Sequence, residues 1–148
     1  MKQTFLFSIL IICISCFSCD KEKNRIQRFK RGLRGNWEWI NSTSGKNGET
    51  SSPLITHSPS TTGSNYGLRI GSSNNAFLYE NGKQIKKGKL ESVEEMPINS
   101  TNNYRKITFD FEGEQVIFLE YSETYEPTKL SSTIWPYKNH SNQLNKNK

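Results

Sequence analysis

Residue types that do chemistry are few and scattered in this chain of 148 residues. Cys13, Cys16 and Cys19 are its three cysteines, so everything after them lacks a disulfide, a thiolate metal site or a cysteine nucleophile. His57 and His140 are the two histidines; they sit in polar surroundings with no ligand spacing nearby and read as solvent-exposed side chains. Asp20 and Asp110 are the only aspartates. A Ser-His-Asp arrangement would need Asp110, which strand alternation puts on an outward face. The G-x-S-x-G elbow, the H-E-x-x-H helix and the P-loop are missing. Glu94-Glu95 reads as a solvated pair in a loop, where neighbours rarely form a two-carboxylate acid–base couple. Lys83, Lys86, Lys87 and Lys89 crowd one strand, where charge discourages edge pairing; an anion or glycan contact is the alternative. The chain therefore reads as a non-enzyme with no cofactor and no metal.

The cysteines take their meaning from what surrounds them. Met1-Lys2 is a short positive start, and an apolar run from Phe5 to Ile14 follows. About ten apolar residues are too few to span a bilayer comfortably and suit a secretory signal peptide. Cys13-Ile14-Ser15-Cys16 and Cys16-Phe17-Ser18-Cys19 both resemble the lipobox of bacterial lipoproteins, whose cysteine after the cleavage point receives a diacylglyceryl group. Cys19 is preferred and Cys16 is the second choice, because the chain turns abruptly hydrophilic at Asp20-Lys21-Glu22-Lys23. An ordinary secreted protein with an unmodified cysteine is the competing reading. The resemblance implies a signal peptide over residues 1–18 and membrane lipid as a partner, with each buried CH₂ of the acyl chains contributing ~0.8 kcal/mol. The expected location is the cell envelope, lipid-anchored in the outer membrane. Asp-Lys-Glu-Lys resembles the charged export signal of some surface lipoproteins; periplasmic and surface display both stay open.

Charge separates this leader from the rest. The formal charge is +6, but residues 20–34 hold seven basic side chains against Asp20 and Glu22, and from Gly35 onward basic and acidic residues balance. Nucleic-acid binding would need basic residues interleaved with aromatics on the folded body, so nucleic acid is excluded as a partner. Within the linker 19–34, Ile26, Phe29 and Leu33 follow helical spacing and predict a short helix with one apolar stripe. That stripe suits covering one end of the following domain. The flanking cations suit anionic headgroups, and the two roles are compatible.

Past Gly35 the dominant signal is alternation. Trp37-Glu38-Trp39-Ile40 opens a strand with both tryptophans on one face; Tyr66–Ile70 and Ala76–Glu80 alternate as well. Asn81-Gly82 is a strong hairpin signal, because both central residues of that turn need positive φ. In the strand from Lys83 to about Val93, the odd spacing of Ile85 and Leu90 predicts a bulge at Gly88. Tyr104–Phe111 and Gln115–Tyr121 form a pair joined tightly at Glu112-Gly113-Glu114, with Ile107, Phe109 and Phe111 on one face. A strand near Thr50–Thr56 and a last one over Lys129–Tyr137 bring the count to about eight. The fold class is all-β: an antiparallel up-and-down barrel with a short N-terminal helix, a sandwich being the other meander solution.

Gly35-Asn36-Trp37 after the short helix is the Gly-x-Trp signature of lipocalins. With Ser58–Gly63, Tyr79-Glu80-Asn81-Gly82 and the leader, the layout resembles small bacterial lipocalin-like lipoproteins over about Leu33 to Lys138. The resemblance implies a barrel over 35–138 and a polar disordered tail over 139–148. It implies that Gly35 turns the chain under the barrel while Trp37 plugs the end. A basic side chain, Arg105 or Lys138, would stack on that ring. Family function is carriage of small apolar or amphipathic molecules, with Trp39, Tyr79, Phe109 and Phe118 as lining candidates. The competing function is a protein–protein interaction module (inhibitor, immunity protein or accessory subunit) using the Ser/Thr/Asn-rich loops. Oligomeric state and ligand identity are open at this level.

Overall fold

The computed structural model describes residues 23–44, 55–97, 103–121, 126–136 and 141–147. The leader with Cys13, Cys16 and Cys19, residues 50–54 of the expected second strand, residues 98–102, Tyr137, Lys138 and His140 lie outside the described residues.

Helix α1 covers residues 23–32. It is followed by β1 (Gly35–Ser44), β2 (Ile55–His57), the one-turn helix α2 (Pro59–Thr62), β3 (Tyr66–Ile70), β4 (Asn75–Glu80), β5 (Lys83–Pro97), β6 (Asn103–Phe111), β7 (Glu114–Glu120), β8 (Lys129–Ser132) and β9 (Ser141–Lys146). From β3 to β9 each strand pairs antiparallel with the next, β3 pairs with β1, and β9 returns to β1. The result is a closed eight-stranded antiparallel barrel, as the alternation predicts. β2 adds no new position around it. It pairs with Ser42–Ser44 on the edge of β1 whose other end, Gly35–Glu38, pairs with β3. In effect β2 and β3 are one strand interrupted by the 58–65 excursion.

Local chemistry explains much of this. Asn81 (φ 50°) and Gly82 (φ 77°) both take the left-handed conformation that the β4–β5 turn requires. Glu112 and Gly113 do the same between β6 and β7, and the Gly113 N–H donates to the Asp110 carboxylate at 2.8 Å. Inward-facing Ile107, Phe109 and Phe111 of β6 meet Val116 and Phe118 of β7, all buried. Along α1 the expected stripe is seated on the barrel end: Phe29 and Leu33 are fully buried and Ile26 packs partly against the core.

Three expectations need correction. First, β5 bulges at Ile85 and Glu91, where the register shifts against β4 and β6, while Gly88 pairs regularly with Ala76. Ile85 points outward and is 43% exposed, so nothing has to bring it to the face of Leu90. The Glu91 bulge instead lets Leu90 and Val93, three apart, both point inward. Second, β8 ends at Ser132, whose hydroxyl accepts the Ile134 N–H at 3.2 Å; Ile134, Trp135 and Pro136 follow as bends. Third, residues 141–147, placed in the polar tail, contain the strand that closes the barrel. Ser-Asn-Gln-Leu-Asn-Lys carries one apolar side chain, so its alternation is invisible in composition; Asn142 and Leu144 are nonetheless fully buried.

Gly88 is required for a different reason from a bulge. A Cβ there would lie 2.2 Å from the Asp110 carbonyl oxygen and 2.6 Å from Phe111 Cδ1. Gly88→Ala is therefore expected to destabilise the fold by about 3 kcal/mol through overpacking against backbone. Urea denaturation measures it, and a loss below about 0.5 kcal/mol would contradict the close approach of β5 to β6.

Candidate binding site at the helix end of the barrel

The start of β1 and the end of β9 meet beneath α1. Gly35 has φ 131°, a backbone that side-chain-bearing residues rarely adopt, and it turns the chain from the helix into the barrel. Trp37 is buried, and its indole N–H donates to the Leu33 carbonyl at 2.9 Å, tying the first strand to the helix end. Lys138 lies outside the described residues, and the cation seen over this ring is not Arg105. It is Lys146, with Nζ 5.7 Å from the ring centroid, which also donates to the Gly32 carbonyl.

Arg105 has another task. Glu95, Arg105 and Glu120 are cross-strand neighbours on β5, β6 and β7 and point into the barrel. Arg105 Nη1 donates to Glu120 at 2.9 Å and Nε to Glu95 at 3.3 Å. Arg25 of α1 reaches the same Glu95 at 2.9 Å. The Arg105 guanidinium lies 4.5 Å from the centre of the Phe29 ring, which covers it. The two side chains at the centre are dry: Glu120 is 1% exposed and Arg105 8%. Two cations and two carboxylates thus join the helix to the barrel wall. Glu94 and Glu95, read as a solvated loop pair, lie on β5 and face opposite ways. Glu94 points outward, where Ser92 donates to it at 2.8 Å and Lys106 stands 3.8 Å away. The clustered lysines also differ from expectation: β5 is paired on both sides, so they guard no edge, and Lys86 pairs with Glu114.

The lining candidates divide. Trp39, Phe109 and Phe118 point inward and are at most 2% exposed. They belong to a run of ring contacts inside the barrel: Trp39–Tyr66 at 5.5 Å, Tyr66–Trp135 at 5.9 Å, Trp135–Phe118 at 6.4 Å and Phe118–Phe109 at 5.7 Å. Tyr79 follows inward-facing Leu78 and so faces out. It lines a shallow outer groove of about 340 Å³ with Gly67 and Arg69. At the end away from α1 the interior is polar. The Trp39 N–H donates to Ser42 at 2.8 Å, Ser42 bonds to Asn142, and Asn142 donates to the Ser132 carbonyl at 2.9 Å. Sequence reasoning missed Ser42 because a bulge at Ile40 changes the parity of β1 after Trp39.

Comparison with known protein families, curated proteins and solved structures returns no match. Function has to be read from the geometry.

One opening lies beside the helix, outside the barrel wall. Between α1 and the segment leading into β8 there is a cleft of about 820 Å³. Arg28 and Arg31 line it from the helix, Glu126 and Lys129 from the opposite wall, and Lys146 and Asn147 from the end of β9. Its frame is held by backbone bonds, Lys146 N–H to Thr128 O at 3.0 Å and Asn147 N–H to Asn36 O at 2.9 Å. Among the described residues no three His, Cys, Asp or Glu side chains converge as a metal ion would require.

Proposed function

We propose that this chain is a non-enzymatic bacterial lipoprotein, lipid-anchored in the outer membrane through Cys19, whose lipocalin-like domain binds a small apolar or amphipathic molecule, the amphipathic class being favoured by the charged cleft at its helix end. The observation that carries the proposal is the cleft beside α1. Its volume falls within the range of about 300–1,000 Å³ typical of small-molecule sites, and it sits where the helix meets the barrel rather than among the interior rings. Trp39, Phe109 and Phe118 act in this reading as packing that stiffens the wall, not as ligand contacts. The Gly35–Trp37 signature, the helix over the barrel end and the leader support the family resemblance together.

Two experiments test it. Native mass spectrometry on the full chain, released gently from its own membrane in a non-ionic detergent, is expected to show a reproducible extra mass that organic extraction removes. Cell fractionation is expected to move Cys19→Ala to the soluble fraction and leave Cys16→Ala on the membrane; the opposite result would shift the anchor by three residues. A second reading is favoured by the ring contacts across the interior: the barrel as a rigid interaction module. A bare mass that co-purifies with one protein in fixed ratio would select it.

A further inference from the structure

We infer that the cleft beside α1 is an anion site, and that Arg28, Arg31 and Lys129 hold the phosphate or carboxylate end of the amphipathic molecule; this rests on the binding function just proposed. Four cations line the cleft, Arg28, Arg31, Lys129 and Lys146, against Glu126 as the one carboxylate among its described lining residues. Lys146 is occupied by the Trp37 ring and the Gly32 carbonyl. Arg28, Arg31 and Lys129 are exposed and make no ion pair with any described residue. Arg25, on the same helix, is by contrast paired with Glu95.

Cations held on two walls of one concavity repel each other, and an anion between them relieves that repulsion while gaining charge-assisted hydrogen bonds. Two of the three are arginines, whose planar forks match two oxygens of a phosphate or carboxylate. Position adds a source for the ligand. Only four residue steps separate Cys19 from Lys23 at the start of the described helix, a span of at most about 14 Å when extended. With about 12 Å more along the helix from Lys23 to Arg31, an anchored chain would keep this cleft within about 26 Å of its lipidated cysteine.

The test is calorimetric titration of the full chain in a non-ionic detergent with three probes: a lysophosphatidate, the uncharged monoacylglycerol of the same chain length, and inorganic phosphate. Two variants with equal charge change are compared, Arg28→Gln/Arg31→Gln/Lys129→Gln in the cleft and Lys83→Gln/Lys87→Gln/Lys89→Gln on β5. Lysophosphatidate is expected to bind at least about tenfold more tightly than monoacylglycerol. The cleft variant is expected to lose about tenfold or more of that affinity, and the β5 variant less than about twofold. Equal losses in both variants would reduce the effect to overall charge and overturn the inference. Equal affinity for the charged and uncharged amphiphile would also overturn it while leaving amphiphile binding intact. If neither amphiphile binds but inorganic phosphate does, and the cleft variant abolishes it, the anion site stands and the amphiphile function falls. Should none of the three probes bind, both fall. The substituted side chains are exposed, and unchanged thermal melting of both variants excludes misfolding as the cause.

Discussion

Replacing Arg105 with methionine is expected to destabilise the barrel by about 3–5 kcal/mol. The substitution takes from Glu120, 1% exposed on the inner wall, the guanidinium that offsets its desolvation. It also strips the Phe29 ring of the cation beneath it and so loosens the seat of α1. Glu95 feels the loss less, because it is partly hydrated and keeps Arg25. The asymmetry is the diagnostic part. Arg105→Met/Glu120→Leu removes both charges and is expected to recover most of the loss, since well-packed apolar side chains commonly replace a buried ion pair at little or no cost. Urea denaturation of wild type, single and double variants, with unchanged m-values, measures this directly. A single variant within about 1 kcal/mol of wild type would mean that the pair is hydrated and that α1 does not seal that end.

Truncation after Lys138 is expected to abolish folding altogether. The removed segment looks dispensable, polar and terminal, yet it contains β9. Its loss would uncover the facing edges of β1 and β8 together, and an open barrel has two bare edges where a closed one has none. Leu144 is fully buried, and losing that burial alone forfeits about 1.5–3 kcal/mol. Ser42 and the Ser132 carbonyl would lose Asn142, at about 1–3 kcal/mol for each polar group left buried. Lys146 would leave Trp37 and Gly32. Together with the two bare edges, these losses of about 4–9 kcal/mol are comparable to the 5–15 kcal/mol that holds a typical domain together. Circular dichroism and a thermal melt decide the matter: a truncated chain that still melts cooperatively would show that β9 is an addition to the barrel and not its closure.

Features written in neighbouring residues were legible without coordinates. Asn81-Gly82 named its own turn, Ile107-Thr108-Phe109-Asp110-Phe111 declared which face was dry, and Ile26, Phe29 and Leu33 marked both a helix and its buried side. In each case the information lies within one turn or one strand, so the periodicity of side-chain direction is enough to read it. The candidate site was far less visible. Arg28 and Arg31 stood out only as charge, and Lys129 and Lys146 gave no sign of sharing a cleft with them.

The sequence alone therefore determined the strand-rich meander, the helix before it and the class of barrel, because alternation and turn chemistry are local. Only the tertiary structure decided which charges meet. Glu95, Arg105 and Glu120 become neighbours through register across three strands, and that register depends on a bulge at Glu91 that composition does not announce. Barrel closure was decided the same way. Ser141–Lys146 has too little apolar character to claim a place in the core by itself, and it becomes a strand because β1 and β8 each offer it a free edge of hydrogen-bonding groups to fill.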